Sequence, residues 1–267
     1  MDEEVLSKIP DLPIELEREI FELAATLYPG SAYHLTTISK RVQIWMEILI
    51  YQTVVLDLPK SRTNLFLRTV DSRPASFFAS RVKNLYLTFV SFPQAWKVLS
   101  VCTGVTNLAC WTATSSQELL PLPRQPLERL SVGIAALMQL CETHKPDFSH
   151  PAFRALTHLD ITEPPTSSVD IDWSALYKLP KLTHISIGNL TESRHLFLLK
   201  ELLTNCESLL CLVVISDHGE FTRRVSEEID DSRLKILPYF HHPKDYRTYW
   251  EDVQRGLPDF WGYLEYN

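Results

Sequence analysis

The sequence predicts an α/β chain: a helical N-terminal unit, a stack of repeats in which short parallel strands alternate with mostly helical returns, and a helical C-terminal cap. Three observations predict it. A phrase of the form apolar-x-x-apolar-x-apolar recurs at intervals of 22 to 29 residues through most of the chain. A helical apolar period occupies the first fifty or so residues instead. Glycine is scarce, with 7 in 267 residues, where average usage would give about 19. No two glycines are closer than Gly256 and Gly262, which excludes the dinucleotide fingerprint, the P-loop and the kinase glycine loop. The scarcity also argues against a sandwich or barrel built on glycine hairpins.

The N-terminal unit is assigned residues 1–56. In DLPIELEREIFELAATLYPG, Asp11 is placed to cap a helix and Pro13 sits near the first turn, where its missing N–H costs nothing. Leu12, Leu16, Ile20 and Leu23 recur at helical spacing, and Glu15, Glu17, Glu19 and Glu22 fill the other positions. Pro29-Gly30 ends this helix and Ser31 is placed to cap the next, which carries Leu35, Ile38, Val42, Trp45 and Leu49 on one stripe. Thr53 to Leu56, β-branched or aliphatic, is expected to be extended.

Residues 57–240 hold the repeats: VKNLYL, LERLSV, LTHLDI, LTHISI and LLCLVV, with VTNLAC and RLKILP degenerate. Their central residues are Leu85, Leu108, Leu130, Leu159, Ile185, Leu212 and Ile236. The spacing matches leucine-rich repeats, an irregular solenoid of coils that each bury an apolar face on the next. SFPQAWKVLSVC, GIAALMQLC and ESRHLFLLKELLTNC read as helical returns, whereas EPPTSSVDIDWSALYKLP is broken by proline. Unrelated strands of an ordinary α/β sheet are the competing explanation. The near-identity of LTHLDIT and LTHISIG favours repeats. Residues 241–267 change character: Tyr246, Tyr249, Trp250, Phe260, Trp261 and Tyr263 fall within two helical stretches that could cap the last apolar layer or form an exposed binding patch.

Charge and cysteine content narrow the function classes. The net charge is −7, with −6 in residues 1–22 and −4 in residues 217–267, so the middle is close to balanced at +3. No Lys/Arg cluster is dense enough to neutralise many phosphates, so no nucleic-acid partner is expected. The acidic start lacks a signal-peptide pattern and no apolar run reaches a membrane span. Five cysteines without a CxxC read as core residues of a reducing compartment. A protein of the cytoplasm and/or nucleus, not secreted and not in the membrane, is the expectation. HExxH, GxSxG and paired zinc spacings are absent, so no catalytic residue, metal or cofactor is expected. His158 and His184, with Asp160, could meet on adjacent strands as a loose metal site, but an ordinary surface pair is favoured. His241-His242 near Asp245 reads as a loop before a helix.

At LPIELEREIF followed by ISKRVQIW the sequence resembles an F-box, in which a Leu-Pro start opens a three-helix unit and a basic-then-Trp phrase, here Lys40-Arg41 and Trp45, marks a later helix. The whole chain resembles the short F-box proteins with degenerate leucine-rich repeats abundant in mushroom-forming fungi. Its compact, cysteine-free loop between the first helix and the Trp phrase departs from the pattern. The resemblance implies a non-catalytic substrate-recognition subunit of a cullin–RING ubiquitin ligase. It would bind a Skp-type adaptor through the F-box and an unknown protein target through the repeats. The adaptor candidates are Leu12, Pro13, Ile14, Leu16, Ile20, Leu35, Ile38, Val42 and Trp45; sequence does not separate contacts from the unit's own core.

Alternation along each strand points the central residues inward and their neighbours to the expected open side of the arc. This row is the candidate target surface: Asn84 and Tyr86, Asn107, Arg129 and Ser131, His158 and Asp160, His184 and Ser186. A simply solvated row competes with it. Two further function classes stay open, a repeat scaffold without ligase role and a cryptic hydrolase needing convergent His, Asp and Ser.

Overall fold

The computed structural model describes residues 12–28, 30–57, 60–88, 90–112, 118–141, 147–163, 173–192 and 194–238, together with 249, 252–253 and 261–262. It divides into two compact units, Met1–Thr53 and Val54–Asn267.

The first unit is three helices: Ile14–Leu27 (α1), Ser31–Leu35 (α2) and Lys40–Gln52 (α3). Asp11 lies outside the described residues. Pro13 precedes α1 at φ −49°, and Glu15 and Glu17 occupy the first turn, where acids suit the helix dipole. Gly30 enters α2 at φ 90°, a conformation glycine adopts without strain. The continuous helix expected from Ser31 through Leu49 is broken. Thr36 and Thr37 donate their hydroxyls to the carbonyls of Tyr33 (2.6 Å) and His34 (2.7 Å). Ser39 is extended (φ −157°, ψ 162°), and its hydroxyl accepts from the Val42 N–H at 3.2 Å. Short polar side chains thus offer the backbone a turn and a fresh cap where the apolar period alone would continue the helix. Val42, Trp45 and Met46 form the buried core, with Phe21, Ala25, Ala32, Leu35, Leu49 and Ile50 packed against it.

The second unit is built on one eight-stranded sheet. In chain order its elements are Thr53–Leu56 (β1), Lys60–Ser72 (α4), Ala75–Arg81 (α5), Asn84–Thr88 (β2), Phe92–Val101 (α6), Asn107–Trp111 (β3), Arg129–Val132 (β4), Ile134–Leu140 (α7), His158–Ile161 (β5), Ser174–Tyr177 (α8), His184–Gly188 (β6), Arg194–Asn205 (α9), Cys211–Ile215 (β7), Gly219–Glu228 (α10) and Leu234–Leu237 (β8). The strands are ordered β1 to β8 without a crossover, so each connection advances the chain by one strand. β2 to β8 are parallel. The chain is therefore α/β, in an order compatible with stacked coils.

Register follows the repeat phrase. Leu85, Leu108, Leu130, Leu159, Ile185 and Leu212 pair in one row across six strands. The seventh place belongs to Leu234, which pairs with Leu212, and not to Ile236, which pairs with Val214. The row is buried at 2% exposure or less from Leu85 to Leu212, each side chain contributing about 1.5–3 kcal/mol. The buried residues of the returns, among them Val98, Leu99, Leu137, Leu140, Leu199, Leu202, Phe221 and Val225, supply further core.

The expected helical returns appear as α6, α7 and α9. α6 starts on a capping box in which the Ser91 N–H donates to the Gln94 side chain at 3.1 Å, with Pro93 in the first turn. The proline-broken stretch leaves only the single turn α8 after residues outside the described set. Four cysteines are buried, Cys211 is half-buried, and none is in a disulfide. Among the described residues no helix is long and apolar enough to cross a membrane.

Candidate functional site

The residues flanking the central row stand in two rows on the other sheet face. Asn84, Asn107, Arg129, His158, His184 and Cys211 make one, and Tyr86, Ala109, Ser131, Asp160, Ser186 and Val213 the other. The expectation that this face is open fails. Tyr86, Ala109, Asp160, Ser186 and Val213 are buried, and Asn84, Asn107, Ser131, His158, His184 and Cys211 are half-buried. Arg129 alone among them is exposed.

The cover comes from the chain's own aromatic end. Tyr249 and Val253, with Val55 of β1 and Trp111 of β3, pack against Tyr86 and Ala109. Trp261 meets the His158 and His184 rings edge-on, with centroids at 5.4 and 5.5 Å. The C-terminal cap was expected over the last apolar layer. Its described residues lie instead on the middle of the sheet face, and the last strand, β8, stays half-buried or exposed. Tyr246, Trp250, Phe260, Tyr263 and the His241–Asp245 loop lie outside the described residues.

Beneath this cover several of the polar side chains bond one another. Asn107 Nδ2 donates to Asn84 Oδ1 at 2.7 Å. Trp111 Nε1 donates to Ser131 Oγ at 2.8 Å, and Ser131 Oγ donates to Asp160 Oδ2 at 2.6 Å. Ser186 pairs with Asp160 from β6, and its buried hydroxyl lies close enough to act on that carboxyl without completing a hydrogen bond of good geometry. Burial pushes the Asp160 carboxyl up to about 6 against the opposing pull of the two serine hydroxyls. Ser131, accepting from one neighbour and donating to the other, is engaged as a link rather than poised as a nucleophile.

His158 and His184 stack face to face, 4.3 Å between centroids and 7° between planes. The Thr157 hydroxyl donates to the Glu128 carbonyl (2.9 Å), so its 2.9 Å contact with His158 Nδ1 is an N–H donation from the ring. Thr183, donating to the Thr157 carbonyl, receives His184 Nδ1–H in the same way. Burial, then the Arg129 charge and His184, push the His158 imidazole down to about 3, so it is neutral near pH 7. Ring nitrogens in parallel planes do not aim their lone pairs at a common point about 2 Å away, as a shared metal requires. Among the described residues no three His, Cys, Asp or Glu side chains could hold a metal ion.

The first unit presents the other candidate surface. Val42 and Trp45, named among the adaptor candidates, are core, and Leu35 packs on that core. They support the surface instead of forming it. Trp45 has Phe21 at 6.5 Å between ring centroids and the Arg41 guanidinium 5.7 Å over its ring. Leu12, Pro13, Ile14, Leu16, Ile20 and Ile38 are exposed. Leu16, Ile20, Leu23 and Leu27, at helical spacing along α1, are 47–62% exposed and make one apolar stripe. Leu23 and Leu27 were not in the candidate set, although Leu23 already stood in the apolar period.

The class these features define is a parallel α/β protein of consecutive strands with a separate three-helix unit. No family model, no curated protein and no solved structure matches the chain.

Proposed function

We propose that this chain is a receptor subunit that binds a Skp-type adaptor through its helical unit and holds a protein target on its second unit, as the F-box resemblance implies. The supporting observation is the α1 stripe: Leu16, Ile20, Leu23 and Leu27 lie outside the core that Phe21 and Ala25 complete. Such a stripe on a helix that has already packed its other face is suited to a second helical surface. Leu12 and Pro13, at the start of the matching phrase, continue it.

The test is co-purification of the full chain with a Skp-type adaptor. Each stripe residue is about half exposed, so its burial contributes roughly 1–1.5 kcal/mol. Leu16→Ala with Ile20→Ala should then weaken the complex roughly 30-fold or more. Exposure of both sites predicts an unchanged unfolding midpoint. No complex with the unaltered chain, or one indifferent to this double substitution, refutes the proposal and leaves the scaffold alternative.

A further inference from the structure

Between β3 and β4 the described part of the return, residues 118–128, is not a helix. Residues 118–128 contain Pro121, Pro123 and Pro126, which remove the donors a helix needs. The segment runs as a strap tied at three backbone points: Leu120 N–H to the Gln139 carbonyl (2.8 Å), Arg124 N–H to that of Thr103 (3.0 Å) and Leu127 N–H to that of Ala152 (2.7 Å). A strap is thinner than the ~10 Å of a helix. A groove of about 590 Å³ opens along it, bounded by Trp96 of α6, Leu140 of α7 and the short turn Pro151–Phe153.

The lining is apolar along the strap, through Leu119, Leu122 and the prolines, and cationic at Arg124 and Arg154, with no Asp or Glu among the described lining residues. Both arginines are exposed, and neither guanidinium has an ion-pair partner among the described residues. By contrast Arg18, Arg41, Arg194, Arg224 and Arg233 are all paired with carboxylates. His150 Nδ1 accepts from the Ala152 N–H at 3.1 Å, which leaves Nε2 as a donor. Trp96 is 49% exposed, an aromatic surface left uncovered.

We infer that this groove binds a short extended peptide segment in which an acidic residue stands beside a large apolar one. The carboxylate would meet Arg124 and Arg154, the guanidinium geometry suited to it. The neighbouring apolar side chain would lie on Trp96 and Leu119. A small organic acid has the same charge, but pockets for small molecules bury most of their ligand. This groove runs open along half-buried Pro121, Leu122 and Pro126, which suits a chain passing through. The inference names the target class within the receptor reading and rests on it.

The test is selection from a randomised peptide display library on the immobilised full chain, without adaptor. Enriched peptides should carry Asp or Glu next to Leu, Phe or Trp. A synthetic peptide of the consensus should bind roughly tenfold or more weakly to the Arg124→Glu, Arg154→Glu variant and lose affinity with rising salt. Trp96→Ala should weaken it as well. All three positions are exposed, and the unfolding midpoint of each variant checks that the fold is kept. No enrichment, a consensus without acidic residues, or equal binding to the charge-reversed variant overturns the assignment. Because the selection uses no adaptor, its outcome is separate from that of the co-purification.

Discussion

Replacing Asp160 with Asn should stabilise the protein near neutral pH, and the gain should vanish in acid. The carboxyl is 8% exposed between β4 and β6, and burial raises it from 3.8 to about 6. A carboxyl raised in the folded state binds its proton more tightly there than in the unfolded chain. Stability therefore falls as pH rises from about 4 to about 6 and stays lower above that. The shift of about two pH units corresponds to a cost of about 3 kcal/mol above pH 6. An amide carries no charge to desolvate. Its oxygen can still accept from Ser131, and its NH2 can donate to the Ser186 hydroxyl on the neighbouring strand. Urea unfolding of both proteins at pH 7.5 and pH 4.5 measures the difference. Asp160→Asn should be more stable by about 2–3 kcal/mol at pH 7.5, with a clearly smaller advantage at pH 4.5. Other titrating groups are common to both proteins and drop out of the comparison. An equal difference at both pH values, or an Asn protein less stable at pH 7.5, refutes the reasoning.

Two further outcomes follow from the packing. Trp261→Ala should raise the His158 pKa from about 3 toward 6.5, read from the imidazole resonances in an NMR titration, because burial is the main cause of the depression; an unmoved titration would show that Trp261 is not the cover. The sign is opposite to that of Asp160: a histidine held neutral stabilises the fold above pH 6.5 and loses that contribution as pH falls toward 3. Gly104→Ala should cost about 2 kcal/mol or more in denaturant unfolding, since a Cβ there overlaps the Ala79 carbonyl oxygen, a backbone atom that cannot swing aside. A cost below about 0.5 kcal/mol would mean that the loop yields.

The strand register was legible because period two and a fixed phrase act together: the six leucine or isoleucine centres from Leu85 to Leu212 needed only alternation and spacing. The seventh failed for the same reason. Leu234 and Ile236 are two residues apart and point to one face, so alternation cannot choose between them; hydrogen-bond register can. The low glycine count also has a structural counterpart, since only Gly30 and Asn189 among the described residues have positive φ. The helix break at Thr36–Ser39 was hidden beneath a continuous apolar stripe, because hydroxyl-to-backbone bonds leave no trace in hydrophobic period. Division of the adaptor candidates into core and surface depends on which face of α1 packs on α3, which no single helical period specifies. The strap groove was missed for a simpler reason. Its signal, three prolines with an arginine among leucines, marks the absence of an element, which neither the helical nor the strand period registers.

The covered sheet face redirects where a partner can bind without cost. Reaching the rows between His158 and Ser186 requires Trp261 to leave, exposing an indole now 6% exposed. Removing one large aromatic side chain from such a site costs about 3 kcal/mol. If the open state is that unfavourable, affinity for any ligand on this face drops by roughly 150-fold. Displacing Tyr249 and Val253 from Tyr86 and Ala109 adds to that penalty. The α1 stripe and the strap groove carry no such tax, because the stripe residues and Trp96, Arg124 and Arg154 are already exposed in the ground state. Selection for affinity at equal contact area therefore favours them over the sheet face, where alternation alone had pointed.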